Sequence, residues 1–129
     1  MGSRIESFED LEVYRLALEL QQEIFELTKT FPSEERYSLT DQIRRSSRSI
    51  GANISEAWGK RRYPAHFVSK LSDSDGEQNE TRHWVKSACL CKYISEDDFG
   101  VLVAKCKTIG RKLGNMMQHP EKWVPKEFL

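Results

Sequence analysis

Residues 38–59 carry an apolar stripe and a polar stripe side by side on one predicted helix. The apolar stripe consists of Leu39, Ile43, Ile50, Ile54 and Ala57. The polar stripe beside it consists of Gln42, Arg45, Ser49, Asn53 and Glu56. Both sets recur at the spacing of a helix face. Such a helix fits a bundle in which charged groups line the seam between packed helices.

The composition limits the class of protein. A chain of 129 residues suits a single domain spanning 1–129. Its 20 basic and 20 acidic side chains cancel, and this balance argues against strong non-specific binding to nucleic acid. No apolar run is long enough to cross a membrane, and no apolar signal segment is visible at the N-terminus. With an odd count of three cysteines, we expect a reduced, cytoplasmic protein without a disulfide framework.

The hydrophobic periodicity predicts four helices. Their expected ranges are about 8–30, 38–59, 64–94 and 96–118, followed by a short C-terminal tail. Ser7, Ser38 and Ser95 each precede an aspartate by three residues, which predicts a side-chain cap at three helix starts. Pro32 ends the first helix and Pro64 opens the third. The predicted fold is all-α, an up-down-up-down antiparallel four-helix bundle.

The third helix has two interpretations. Residues 72–83 contain no large apolar side chain, so periodicity alone indicates a loop between two short helices. On a helical wheel, however, Ser74, Gln78 and Thr81 continue the face formed by the flanking apolar residues. Small or neutral side chains can then extend the core. We favour one continuous helix with acidic residues beside its seam.

Several short motifs resemble one family. The opening segment matches at Phe8, Leu11, Val13 and Tyr14, and the next matches are Phe31-Pro32, Glu35-Arg36 and Leu39-Thr40. The most specific pattern, Gln-x-x-Arg-x-x-x-Ser-Ile-x-x-Asn-Ile-x-Glu, is met by Gln42, Arg45, Ser49, Ile50, Asn53, Ile54 and Glu56. Glu80-Thr81 and Trp84-Val85 match in the third helix. Together these residues resemble the bacterial four-helix bundle family related to proteins encoded in intervening sequences of large-subunit ribosomal RNA genes.

The resemblance implies a four-helix bundle that assembles as a ring-like homopentamer, without enzymatic activity. Relatives that accompany diversity-generating retroelements bind nucleic acid and a reverse transcriptase. Those relatives are basic, whereas this chain has no net charge. The chain also departs from the family pattern at Gly51, where proline is usual, and at Ala57, where glycine is usual.

The two polar stripes predict a network across the second and third helices. Its candidate members are Arg45, Ser49, Asn53, Glu56, Asp73, Glu77 and Glu80. A bidentate contact between Arg45 and Glu80, completed by Asn53 and Ser49, would compensate the cost of burying these charges. We favour this structural role, setting helix register or subunit pairing, over a solvated charged face or a catalytic role.

Motifs for metal or covalent chemistry are weak. Glu80-Thr81-Arg82-His83 supplies one Glu-x-x-His, whereas di-iron bundles use two. Cys89 and Cys91 fall on nearly opposite faces of a helix, unlike the ligands of a zinc site. We predict no catalytic residue, metal or cofactor.

A basic surface is the remaining candidate for binding. Its candidate residues are Arg44, Arg48, Lys60, Arg61 and Arg62. An oligomer would present them repeatedly to the phosphates of RNA or DNA, although cations at a helix C-terminus are also favourable without any ligand. The sequence therefore predicts a self-associating interaction or scaffold protein of unknown pathway, with an unidentified protein partner or nucleic acid as further partners and no membrane association.

Overall fold

The computed structural model describes residues 4–129 and contains four α-helices within that range. They are α1 (Glu12–Thr28), α2 (Leu39–Gly59), α3 (Pro64–Leu90) and α4 (Glu96–Gln118). Successive helices pack against each other, and α1 also contacts α4, so the four form an antiparallel bundle as predicted. The first three residues of the predicted domain lie outside the described range. No helix within residues 4–129 is both long and apolar enough to cross a bilayer.

The core follows the apolar stripes of all four helices. The largest side chains that are fully enclosed include Leu20, Ile24, Ile50, Ile54, Phe67, Leu71, Ile109 and Leu113. Burying each such side chain contributes about 1.5–3 kcal/mol to folding, before the entropy cost is subtracted. The bundle is therefore held by an ordinary hydrophobic core along most of its length.

α3 is a single continuous helix, and its middle section supplies a polar part of the core. Ser74, Gln78 and Thr81 are at most 4 % exposed. The Ser74 hydroxyl donates to the Ile50 carbonyl at 2.8 Å, and the Thr81 hydroxyl donates to Ser46 Oγ at 3.0 Å. Because Ser74 and Thr81 are small, α2 and α3 approach closely and share the most extensive helix–helix contact in the bundle. The continuous helix favoured from the sequence is confirmed.

Helix ends match the sequence expectations in part. Ser95 accepts a hydrogen bond from the Asp98 amide and caps α4, as predicted. Ser7 and Asp10 form the expected capping box, but on a 3₁₀ turn at Phe8–Asp10 rather than on α1, which begins at Glu12. The predicted side-chain cap at Ser38 is wrong, since the Leu39 amide donates to Glu35 Oε1 instead.

α3 ends at Leu90, four residues before the predicted limit of 94, through a turn that the sequence did not reveal. The Tyr93 amide donates to the Ala88 carbonyl and the Lys92 amide to the Cys89 carbonyl. Lys92 takes the left-handed position of this Schellman turn, with φ of 63°. Glycine is the usual residue at that position. Because this chain has lysine there, the sequence does not indicate the end of the helix.

Candidate interaction surfaces

Two hydrogen bonds fix the register between α2 and α3. Thr81 lies opposite Ser46, and Ser74 lies opposite Ile50. The polar stripe of α2 and the acidic stripe of α3 therefore lie side by side on the bundle surface, along a line that we call the α2–α3 seam. Its α2 side consists of Gln42, Arg45, Ser49, Asn53 and Glu56, and its α3 side of Lys70, Asp73, Glu77, Glu80 and Trp84.

One ion cluster crosses the seam. Lys70 Nζ lies 2.8 Å from Glu56 Oε2 and 3.7 Å from Asp73 Oδ2. The hydrogen bond with Glu56 raises the pKa of Lys70 and lowers that of Glu56. Glu56 and Asp73 were predicted members of the network, whereas Lys70 was missed. Its position three residues before Asp73, on the same side of α3, was the available signal.

The predicted contact between Arg45 and Glu80 does not form within the chain. The Arg45 side chain is 72 % exposed, and its Nη1 lies 3.7 Å from Asp41 Oδ2, one turn earlier on α2. Asn53 donates to the Ser49 carbonyl of its own helix at 2.9 Å and so does not complete the site. The physical reason is angular, since Arg45 lies toward the outer edge of α2 and Glu80 toward the outer edge of α3.

Glu77 and Glu80 form an unpaired acidic patch at the outer edge of the seam. Within residues 4–129, no lysine or arginine nitrogen lies within 4.0 Å of either carboxylate. Burial raises the pKa of Glu77, and the nearby charges of Glu80 and Asp73 raise it further, against a lowering by Arg45. Trp84 Nε1 donates to Glu80 Oε1 at 3.3 Å and lies beside the patch. The patch therefore combines negative charge with a partly exposed aromatic ring.

A second surface lies between α1 and α2 and combines arginine with apolar groups. The guanidinium of Arg44 lies 4.9 Å from the Phe25 ring centre and that of Arg48 lies 5.8 Å from it. Arg44 also donates to Thr28 Oγ1 at 2.7 Å and, through Nη2, to the Phe25 carbonyl at 3.5 Å. Leu18, on the same side of α1, is 41 % exposed. We call Arg44, Arg48, Phe25 and Leu18 the arginine patch.

The predicted basic residues fall into two separate groups. Arg61 follows the end of α2 at Gly59, which is fifteen positions after Arg44 and about 22 Å from it along the helix at 1.5 Å per residue. Arg61 stacks over Trp58 at 3.5 Å and donates to the Trp123 carbonyl of the tail, and burial lowers its pKa. Arg62 lies 5.4 Å from the Phe128 ring, while Lys60 is exposed. At this end, much of the basic character therefore holds the tail in place.

The burial of Cys106 and the spacing of the histidine, cysteine and carboxylate side chains bear on catalytic and metal chemistry. Cys106 is fully buried, and burial raises its thiol pKa to about 12, so it is a core side chain rather than a nucleophile. Across residues 4–129, histidine, cysteine and carboxylate side chains nowhere gather in a group of three suited to a metal ion. Glu80 of the Glu-x-x-His pattern is instead part of the acidic patch.

Comparisons with known proteins agree with this architecture. Residues 9–115 match the family model described as 23S rRNA-intervening sequence protein. A crystal structure of a protein with unknown function, from the S23 ribosomal protein family of Bacteroides thetaiotaomicron, superposes with a TM-score of 0.74 and 30 % sequence identity. That similarity covers 82 % of this chain and 95 % of the other. No curated protein gave a match. The chain belongs to the 23S rRNA-intervening sequence protein family.

Proposed function

We propose that this protein is a non-enzymatic, self-associating helical bundle that acts as an interaction or scaffold protein. The proposal is based on the family pattern from Gln42 to Glu56 in α2, whose apolar residues lie in the core and whose polar residues lie at the surface. Ile50 and Ile54 are fully buried, whereas Arg45 reaches only an exposed partner and Asn53 bonds within its own helix. Of the polar residues, Glu56 pairs with Lys70 across the seam, whereas Arg45 and Asn53 make no side-chain hydrogen bond or ion pair with α3 and are free to contact another chain.

The charges at the seam support the same proposal. A carboxylate that is half-buried beside like charges is unfavourable until a cation approaches it. Glu77 is in this position, and no intrachain cation within 4.0 Å compensates it among residues 4–129. Contact with a basic surface would remove this cost, so the single chain is suited to a partner.

Self-association is measured directly by light scattering or sedimentation equilibrium over a range of concentrations. One chain has a mass of 15.0 kDa, so the pentamer implied by the family resemblance has about 75 kDa. We expect an assembly of several chains, with five copies favoured. A mass of 15.0 kDa at every concentration tested would contradict the proposal.

Nucleic-acid binding is the second candidate, and the exposure of Arg48 and Lys60 favours it. Neither has a carboxylate within 4.0 Å among residues 4–129. Repetition in an oligomer would multiply these phosphate contacts. Gel-shift assays with RNA and DNA across salt concentrations test this candidate. A double variant, Arg48→Gln and Lys60→Gln, should then weaken the shift more than Lys107→Gln, a matched exposed cation on α4; equal shifts would reject the two residues.

A further inference from the structure

The acidic patch and the arginine patch are complementary in charge and lie on neighbouring faces of the bundle. Glu77 and Glu80 lack an intrachain cation within 4.0 Å, and Arg44 and Arg48 lack an intrachain carboxylate within that distance, for residues 4–129. One patch lies at the outer edge of the α2–α3 seam and the other between α1 and α2. Although the chain has no net charge, its surface therefore carries two patches of opposite sign.

The charged residues of the two patches lie at the same height along the bundle. The hydrogen bond between Thr81 and Ser46 places the Glu77–Trp84 section of α3 beside the Arg44–Arg48 section of α2. The bond from Arg44 to Thr28 places the end of α1, including Phe25, at this level as well. A second copy can therefore approach side by side, without a shift along the bundle axis.

We propose that copies of this chain associate head to tail, with the acidic patch of one copy against the arginine patch of the next. This inference depends on the proposed self-association and adds the two contact surfaces to it. Arg48 is the exposed arginine of the arginine patch and faces the neighbouring copy, where Glu80 is the exposed carboxylate.

Residue types in the two patches suit such an interface. Tryptophan and arginine are enriched among residues that dominate binding energy, and both occur here. Leu18, Phe25 and Trp84 supply apolar area around the charges, since each remains partly or largely exposed in the single chain. Contact with the next copy would exclude water from these groups and strengthen the ion pairs between the patches.

The angle between the two patches determines what the contact builds. Neighbouring faces of a four-helix bundle point about 90° apart, since the helices surround one axis. A head-to-tail contact between faces at such an angle, without an axial shift, closes into a ring of about four copies, and faces about 108° apart close a ring of five. An open filament would require a displacement along the axis, which the shared height of the patches does not provide.

Charge reversal in the full-length protein tests the two surfaces. The informative variants are Arg48→Glu, Glu80→Lys and the two combined. Both positions are exposed, so neither substitution affects the core. Arg44 is left unchanged because its guanidinium is held by Thr28 and the Phe25 carbonyl, and its loss would disturb α1. Lys107→Glu and Glu127→Lys, two exposed charges outside the patches, serve as controls.

We expect each single reversal to weaken association about tenfold or more, measured by sedimentation equilibrium at fixed salt. The combined variant restores opposite charges at every contact and should return association to within about threefold of the parent protein. The two control variants should assemble like the parent. Circular dichroism should show the same helical content in all variants.

Three outcomes would overturn the inference. Single reversals that leave an assembled parent unchanged would show that other surfaces join the copies, while self-association itself stands. Failure of the combined variant to recover would show that Arg48 and Glu80 do not meet. Loss of RNA binding by Arg48→Glu, with assembly unchanged, would assign the arginine patch to nucleic acid. A parent that is monomeric throughout would instead reject the proposed function.

Discussion

Replacing Gly76 with proline is expected to lower the free energy of unfolding by about 3 kcal/mol or more. Gly76 lies at the centre of α3, where a proline removes the hydrogen bond to the Ser72 carbonyl and its ring clashes with that carbonyl. The section that would bend is the one that binds α2 through Ser74 and Thr81. Chemical denaturation at fixed protein concentration measures the effect.

The matched control is Gly76→Ala, for which we expect the opposite sign. A methyl group at this position meets no atom within 4 Å, so alanine should stabilise the helix by about 1 kcal/mol. If the segment were a loop joining two helices, proline would be tolerated and alanine would bring no gain. Equal stability of the two variants would therefore contradict a continuous α3.

Replacing Ser74 with leucine is expected to lower the free energy of unfolding by about 3 kcal/mol. This is the second of the two largest effects that we expect. Ser74 is fully buried, and its hydroxyl donates to the Ile50 carbonyl at 2.8 Å. Leucine removes this bond and forces α2 and α3 apart, and overpacking of this kind costs about 1–3 kcal/mol in addition to the bond. Thermal or denaturant unfolding of the variant measures the sum.

Two further substitutions identify the cause. Ser74→Ala removes only the hydroxyl and should cost about 1 kcal/mol, whereas Ser72→Leu adds the same bulk at an exposed position and should change stability little. Should Ser74→Leu stabilise the protein, the polar section of the core would be a loosely filled space rather than a close contact.

The course of α3 could be predicted from the sequence only by considering its small side chains together with its apolar ones. Ser74, Gln78 and Thr81 continue the spacing of Phe67 and Leu71, so the face remains regular although its hydrophobicity falls. Periodicity of hydrophobic residues alone misses such a helix because serine and threonine are counted as surface residues. Their burial is possible because each hydroxyl finds an acceptor across or along the helix.

The pairing of individual charges could not be predicted in the same way. A long charged side chain can reach several neighbours, and its partner depends on its angular position around the helix. Arg45 pairs with Asp41 on its own helix rather than with Glu80 on α3, and Lys70 forms the ion pair with Glu56. The sequence indicated which stripes would meet, but the helix register was needed to identify the pairs.

The roles of the individual arginines could not be predicted from the sequence either. Arg44 and Arg61 count as surface charge in the sequence, yet aromatic rings and backbone carbonyls hold both of them. An arginine that completes a helix end is favourable without any ligand. Only contacts in three dimensions separate such residues from Arg48, which is exposed and free to meet a partner.

Hydrogen exchange of the α3 amides measures most directly whether the polar centre of this helix is held against α2. If Ser74 and Thr81 anchor it, the amides of residues 74–83 should exchange slowly, at rates similar to those of the apolar sections on either side. Fast exchange confined to residues 72–83, with protection kept in the sections around Leu71 and Val85, would show two short helices joined by a loop. That result would also remove the scaffold that presents Glu77 and Glu80 at the seam.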